Sequence, residues 1–174
     1  LFDSPEFIAC FLAATRIGAV VVPINTFLPT EDVTFILSDS GARALIVESE
    51  LLERVNHSGF HKSSVLVIDT DSRTLLEETA EAAPFVDALT TRLTPGFLLY
   101  TSGSTGTPKG VLHLHGSIPH TVNSYSRSIL RLTNRDRVYS SSRLFFAYGL
   151  GNSFSFPLAA GATVILDPER ATPE

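Results

Sequence analysis

The stretch Tyr100-Thr101-Ser102-Gly103-Ser104-Thr105-Gly106-Thr107-Pro108-Lys109-Gly110 decides how the rest of the sequence is read. It follows the apolar run Phe97-Leu98-Leu99-Tyr100, which reads as a strand. It packs together three glycines, five serine or threonine hydroxyls and one lysine, with no acidic side chain. Glycines let successive backbone N–H groups turn into one concavity, hydroxyls add donors, and a lysine adds a point charge. That chemistry suits an anion. Three or four charge-assisted hydrogen bonds of roughly 1.5–3 kcal/mol each would hold a polyphosphate against its hydration.

In the phosphate-binding pattern G-x-x-x-x-G-K-[ST], the lysine follows a glycine and precedes a hydroxyl. Here Pro108 precedes Lys109 and Gly110 follows it, so that pattern fails at two defining positions. The order instead resembles closely the phosphate signature of the adenylate-forming superfamily, which includes acyl-CoA and aryl-CoA synthetases, luciferases and peptide-synthetase adenylation domains. The resemblance implies that Thr101, Ser102, Gly103, Ser104, Thr105, Gly106, Thr107 and Lys109 grip the phosphates of ATP. It also implies that Lys109 is catalytic and that Mg²⁺ and coenzyme A take part.

A second informative stretch is Arg143-Leu144-Phe145-Phe146-Ala147-Tyr148-Gly149-Leu150-Gly151-Asn152. It comes shortly after the expected strand Arg137–Ser140, the position at which ligands bind in open α/β sheets. Phe146 and Tyr148 offer flat apolar walls with Ala147 leaving room between them, a slot for a planar acid, although aromatic residues are commonly plain core. With the following Phe-Pro-Leu-Ala-Ala-Gly-Ala-Thr-Val, the stretch is similar to the acyl-pocket motif of benzoate-CoA and related aryl-CoA ligases. By that resemblance Phe146, Ala147, Tyr148 and Gly149 line the carboxylate pocket.

Composition sets the bounds. The chain has 174 residues, 44% of them apolar, enough for about one domain. A net charge of −5 argues against nucleic acid as a partner. No Asp or Glu lies between Asp87 and Asp136, whereas Arg92, Lys109, Arg127, Arg131 and Arg135 do. This local positive field favours an anion, though Arg127 and Arg131 equally fit a solvated helix face. The single Cys10 excludes an internal disulfide and reads as a small buried residue. No apolar run is long enough to span a bilayer, and a cytoplasmic location is expected. A start at Leu1 and the absence of methionine suggest a piece of a longer chain.

Periodicity predicts a helix from Ser4-Pro5-Glu6 to Gly18 with Phe7, Phe11 and Ala14 inward, then a buried strand Ala19–Ile24. A second helix runs from Thr30 to Gly41 with Val33, Ile36 and Leu37 inward. Strands are expected at 44–47 and 65–68, with a short helix near 50–55 between them. Residues 71–95 read as a connection, in which Leu75-Leu76 and Phe85-Val86 could pack a short helix. Beyond the loop, Ile118, Val122, Tyr125 and Ile129 mark a helix capped by Ser117. A further helix is expected over about 150–159, bent by Pro157, before the strand 163–166. His113, His115 and His120 lack acidic or cysteine partners and read as structural or supporting residues.

The expected class is α/β, with mostly parallel sheets flanked by helices, forming part of the large N-terminal domain of an adenylate-forming enzyme. The parts are residues 1–70, a connection over 71–95, and residues 96–174. The activity implied by the resemblance is ATP-dependent conversion of an aromatic carboxylic acid to an acyl-adenylate and then to its CoA thioester. The family's adenine, ribose, hinge and C-terminal lysine motifs are not in this sequence, so the segment is expected to be inactive without the remainder of its parent chain. Loading of a carrier protein, or a non-catalytic nucleotide-binding remnant, are the alternatives.

Overall fold

The computed structural model describes residues 1–56, 66–70, 85–102 and 106–169. These fall into two units, each assembled from three stretches of chain. One comprises residues 1–2, 24–86 and 100–111; the other, residues 3–23, 87–99 and 112–174. Both contain helices and strands, an α/β organisation.

In the first unit, α2 (Thr30–Asp39) leads through Gly41 into β1 (Ala44–Glu48), then α3 (Ser49–Asn56) and β2 (Leu66–Thr70). The chain turns at Gly41 because its φ of +61° is open to glycine and strained for other residues. β1 and β2 pair in parallel from Ala44↔Leu66 to Glu48↔Thr70. Ile36, Leu37, Val47 and Val55 are buried here, in accord with the inward stripe read from α2.

The second unit begins with α1 (Pro5–Arg16). Ser4 Oγ accepts from the Phe7 amide, Pro5 occupies the first turn, and Gly18 at φ +77° lets the chain leave. Most of β3 (Pro95–Ser102) and the end of β4 (Pro108–Leu114) also lie here. β3 and β4 form a two-stranded sheet, and a connection this short permits only the antiparallel arrangement. β5 (Arg137–Tyr139) and β6 (Thr163–Ile165) pair in parallel. Phe11, Phe97, Leu99, Leu144, Leu150 and Phe154 make the core. The Phe11 ring meets Phe97 at 5.7 Å and Phe154 edge-on at 5.2 Å.

Three expectations are corrected. Residues 19–24 do not form a strand: Val21 alone bridges β3, accepting from the Leu98 amide at 2.8 Å and donating to the Gly96 carbonyl at 3.0 Å. Pro23, which has no N–H, ends the pairing there. Phe85 and Val86 are exposed and lie outside any helix, and Leu75-Leu76 fall outside the described residues. The stripe after the loop also shifts. The helix α4 starts as Ser117–Thr121 and continues as a π-helix over Val122–Leu130, closed by the Arg131 amide on the Ser126 carbonyl. Its wider turns keep residues four apart on one face, so Val122 and Ser126 are buried while Tyr125 and Ile129 are exposed.

The helix near the C-terminal end, α5, is continuous from Ala147–Leu150 through a π segment at Gly151–Ser155 into Phe156–Ala160. It starts three residues earlier than periodicity predicts. The irregularity lies just before Pro157, whose ring would strike the carbonyl four residues back in a regular α-turn. Phe11 is 2% exposed at the middle of the second unit's core. Phe11→Ala is therefore expected to cost about 3–5 kcal/mol, read as a lower urea midpoint at unchanged slope. A loss under about 1 kcal/mol would contradict its central position.

Candidate functional site

The phosphate segment belongs to the first unit. Thr101 and Ser102 end β3, Gly106 and Thr107 follow, and Lys109 sits on β4; all five are exposed. Gly103, Ser104 and Thr105 lie outside the described residues. Lys109, read from sequence as part of the loop, is thus on a strand, where its side-chain direction follows the pleat. Among the described residues it has no ion-pair partner. Gly106 has φ +85°, and a Cβ built on it would meet nothing within 4 Å. Its glycine is required by backbone shape, and the space beside it is open.

The strand is anchored just ahead of the loop. Tyr100 Oη donates to Asp39 Oδ2 at 2.6 Å, tying β3 to the last residue of α2. Burial, and then the Asp39 hydrogen bond and charge, push the phenol well above its ordinary range, so it stays a donor. The pair is 61 residues apart in sequence. No local pattern could have revealed it.

The acid-pocket motif belongs to the second unit and lies at the start of α5. Phe146 precedes the helix with extended backbone, and Ala147, Tyr148 and Gly149 form its first turn, ahead of the start expected near Leu150. Phe146 and Tyr148 are 46% and 68% exposed, so both rings are presented outward. Phe146 packs edge-on against Phe145 at 4.7 Å. Gly149 is different: it is buried, and a Cβ there would fall well inside contact distance of the carbonyl oxygens of Ser142 and Arg143. It seats the turn against backbone, whereas Phe146 and Tyr148 face outward.

A family model described as AMP-binding enzyme matches residues 1–174. The chain belongs to the AMP-binding enzyme family. It is 39% identical over 178 residues to a benzoate–CoA ligase of Thauera aromatica, covering 99% of this chain and 34% of that protein. A solved benzoate CoA ligase from Burkholderia xenovorans LB400 superposes with a TM-score of 0.86 at 35% identity, covering 98% of this chain and 34% of the other. The anthranilate CoA ligase AuaEII, solved with anthranoyl-AMP, gives 0.86 at 30% identity, over 97% of this chain and 33% of the other. The chain thus spans about a third of the length of the relatives it matches.

The histidines of this family member divide by environment. His113 stacks on Phe97 with centroids 4.6 Å apart, and burial lowers its pKa, favouring a neutral ring. His115 lines an apolar cavity of about 460 Å³ in the second unit, with Phe11, Ile118, Val122, Phe154 and Leu158. Its Nε2 is buried with no hydrogen-bond partner among the described residues. Phe146 to Gly149 do not line that cavity. His120 is exposed, and no group of three His, Cys, Asp or Glu among the described residues is placed to hold a metal ion.

Two predictions follow from this geometry. Gly149→Ala must displace the Ser142–Arg143 backbone, so it is expected to yield little folded protein. Gly106→Ala meets only a conformational cost of roughly 1–2 kcal/mol and should fold. Equal yields and melting temperatures for the two variants would refute the contrast. For His113, the folded-state pKa lies below 6.5, so its contribution is full above that pH and is lost as pH falls through the folded value. His113→Phe is expected to flatten the dependence of unfolding free energy on pH below 6.5, and parallel curves would contradict this.

Proposed function

We propose that this chain supplies the ATP-phosphate loop and part of the acid pocket of an aryl-CoA ligase. The enzyme would convert benzoate or a substituted benzoate to an acyl-adenylate and then to its CoA thioester. The observation that carries this reading is the pair of outward rings, Phe146 and Tyr148, flanking the small Ala147 at a helix start. That arrangement suits a flat acid, and the likeness to benzoate and anthranilate CoA ligases supports it.

In the first half-reaction a carboxylate oxygen attacks the α-phosphorus of ATP and pyrophosphate departs. Charge accumulates on that leaving group. Thr101, Ser102, Thr107 and the loop amides would donate to its oxygens, and Lys109 would place a positive charge against them, so the segment works by fixed electrostatics and positioning. In the second half-reaction the thiol of coenzyme A attacks the acyl carbonyl and AMP leaves. No covalent enzyme intermediate is needed.

Mg²⁺ would assist by neutralising phosphate charge. The described loop residues offer it no carboxylate, so it would arrive on the ATP phosphates. No helix among the described residues is long and apolar enough to cross a membrane. With one cysteine and an acidic charge balance, a cytoplasmic setting fits this reading.

In the full-length protein, Lys109→Ala is expected to slow single-turnover acyl-adenylate formation by about 10²-fold or more. Carboxylate-dependent pyrophosphate release should be absent from the isolated 174 residues and present in the full-length enzyme with benzoate. Unchanged adenylation in the variant would remove Lys109 from its role. Acyl transfer to a carrier protein with indifference to coenzyme A would overturn the ligase assignment.

A further inference from the structure

Asp3 is 8% exposed although it carries a carboxylate, and its partners lie far along the chain. Its Oδ1 accepts from the Leu144 amide at 3.1 Å, across 141 residues of sequence. Its Oδ2 is 3.8 Å from Arg143 Nη1, too long for a hydrogen bond but within range of a charge pair. The same Nη1 donates to the Asp167 carbonyl at 2.6 Å, just beyond β6. The Arg143 side chain is only 12% exposed, so both charges are largely removed from water.

The Arg143 backbone in turn shapes the acid motif. Its carbonyl accepts from the Phe146 amide at 3.0 Å, and Gly149 rests against the same oxygen. One carbonyl therefore fixes the entry and the inner contact of the turn that presents Phe146, Ala147 and Tyr148. Removing charge from water raises the Asp3 pKa by more than the Leu144 amide and Arg143 lower it. A buried ion pair of this kind is weak support for stability, which leaves positioning as its stronger use.

We propose that Asp3 and Arg143 are positioning residues: together they clamp the Arg143–Leu144 backbone, hold the Phe146–Tyr148 surface in shape, and thereby set which aromatic acid the enzyme accepts. This rests on the reading of that surface as the acid wall. The role assigned to these two side chains needs no contact with the reacting atoms. They act through the carbonyl on which the turn is seated.

The test uses the full-length enzyme. Asp3→Ala and Arg143→Gln are expected to raise KM for benzoate about tenfold and to shift kcat/KM between benzoate and a ring-substituted benzoate by a similar factor, with KM for ATP within about twofold of wild type. Asp3→Asn keeps an acceptor for the Leu144 amide and should recover most of the benzoate KM; it also carries the test where Asp3→Ala does not accumulate as folded protein. Equal increases in KM for acid and ATP, a loss confined to kcat, or unaltered selectivity would overturn the clamp. A wild-type enzyme that activates benzoate while the variants match it fails the clamp alone. A wild-type enzyme that activates no aromatic acid fails the proposed function, and the clamp with it.

Discussion

The second unit depends on keeping the inner face of β3 away from water. Phe97 shows how the constraint spreads: its ring meets Phe11 of α1 on one side and stacks on His113 of β4 on another. On either side of it, the Gly96 carbonyl accepts from the Val21 amide and the Leu98 amide donates to the Val21 carbonyl. Hydrophobic burial and ring contacts thus position the strand, and hydrogen bonds fix its register. β3 continues from this packed stretch into Thr101 and Ser102.

Local chemistry explains what could be read in the sequence. The Ser4-Pro5-Glu6 start of α1, the turn at Gly41 and the apolar runs of β1, β5 and β6 are each specified within a few neighbouring residues, and each formed where expected. The run 19–24 misled because apolar β-branched composition records burial as well as pairing, and only Val21 finds a strand partner. Tyr125 and Ile129 were misplaced because the stripe assumed an α-helical period through a segment that is π-helical.

The candidate site divides along the same line. Glycines, hydroxyls, a lysine and aromatic rings announce their chemistry by type and spacing, and the start of α5 carries Phe146 and Tyr148 outward. The groups that hold these parts in place were illegible. Asp39 pairs with Tyr100, and Asp3 with Leu144 and Arg143, across separations that no periodicity encodes. Gly149 looked like one more lining residue, and its function as a close backbone seat became evident only with the Ser142 and Arg143 carbonyls beside it.

The π segment within α5 separates two duties that one regular helix would have to share. Its start displays Phe146 at the cap and Tyr148 in the first turn, while its last turns bury Phe156 and Pro157. An extra residue absorbed between them rotates one end against the other by about 100°. Each end can therefore drift in evolution under its own selection. The exposed front of the helix is free to diversify while the rear keeps its grip on the scaffold.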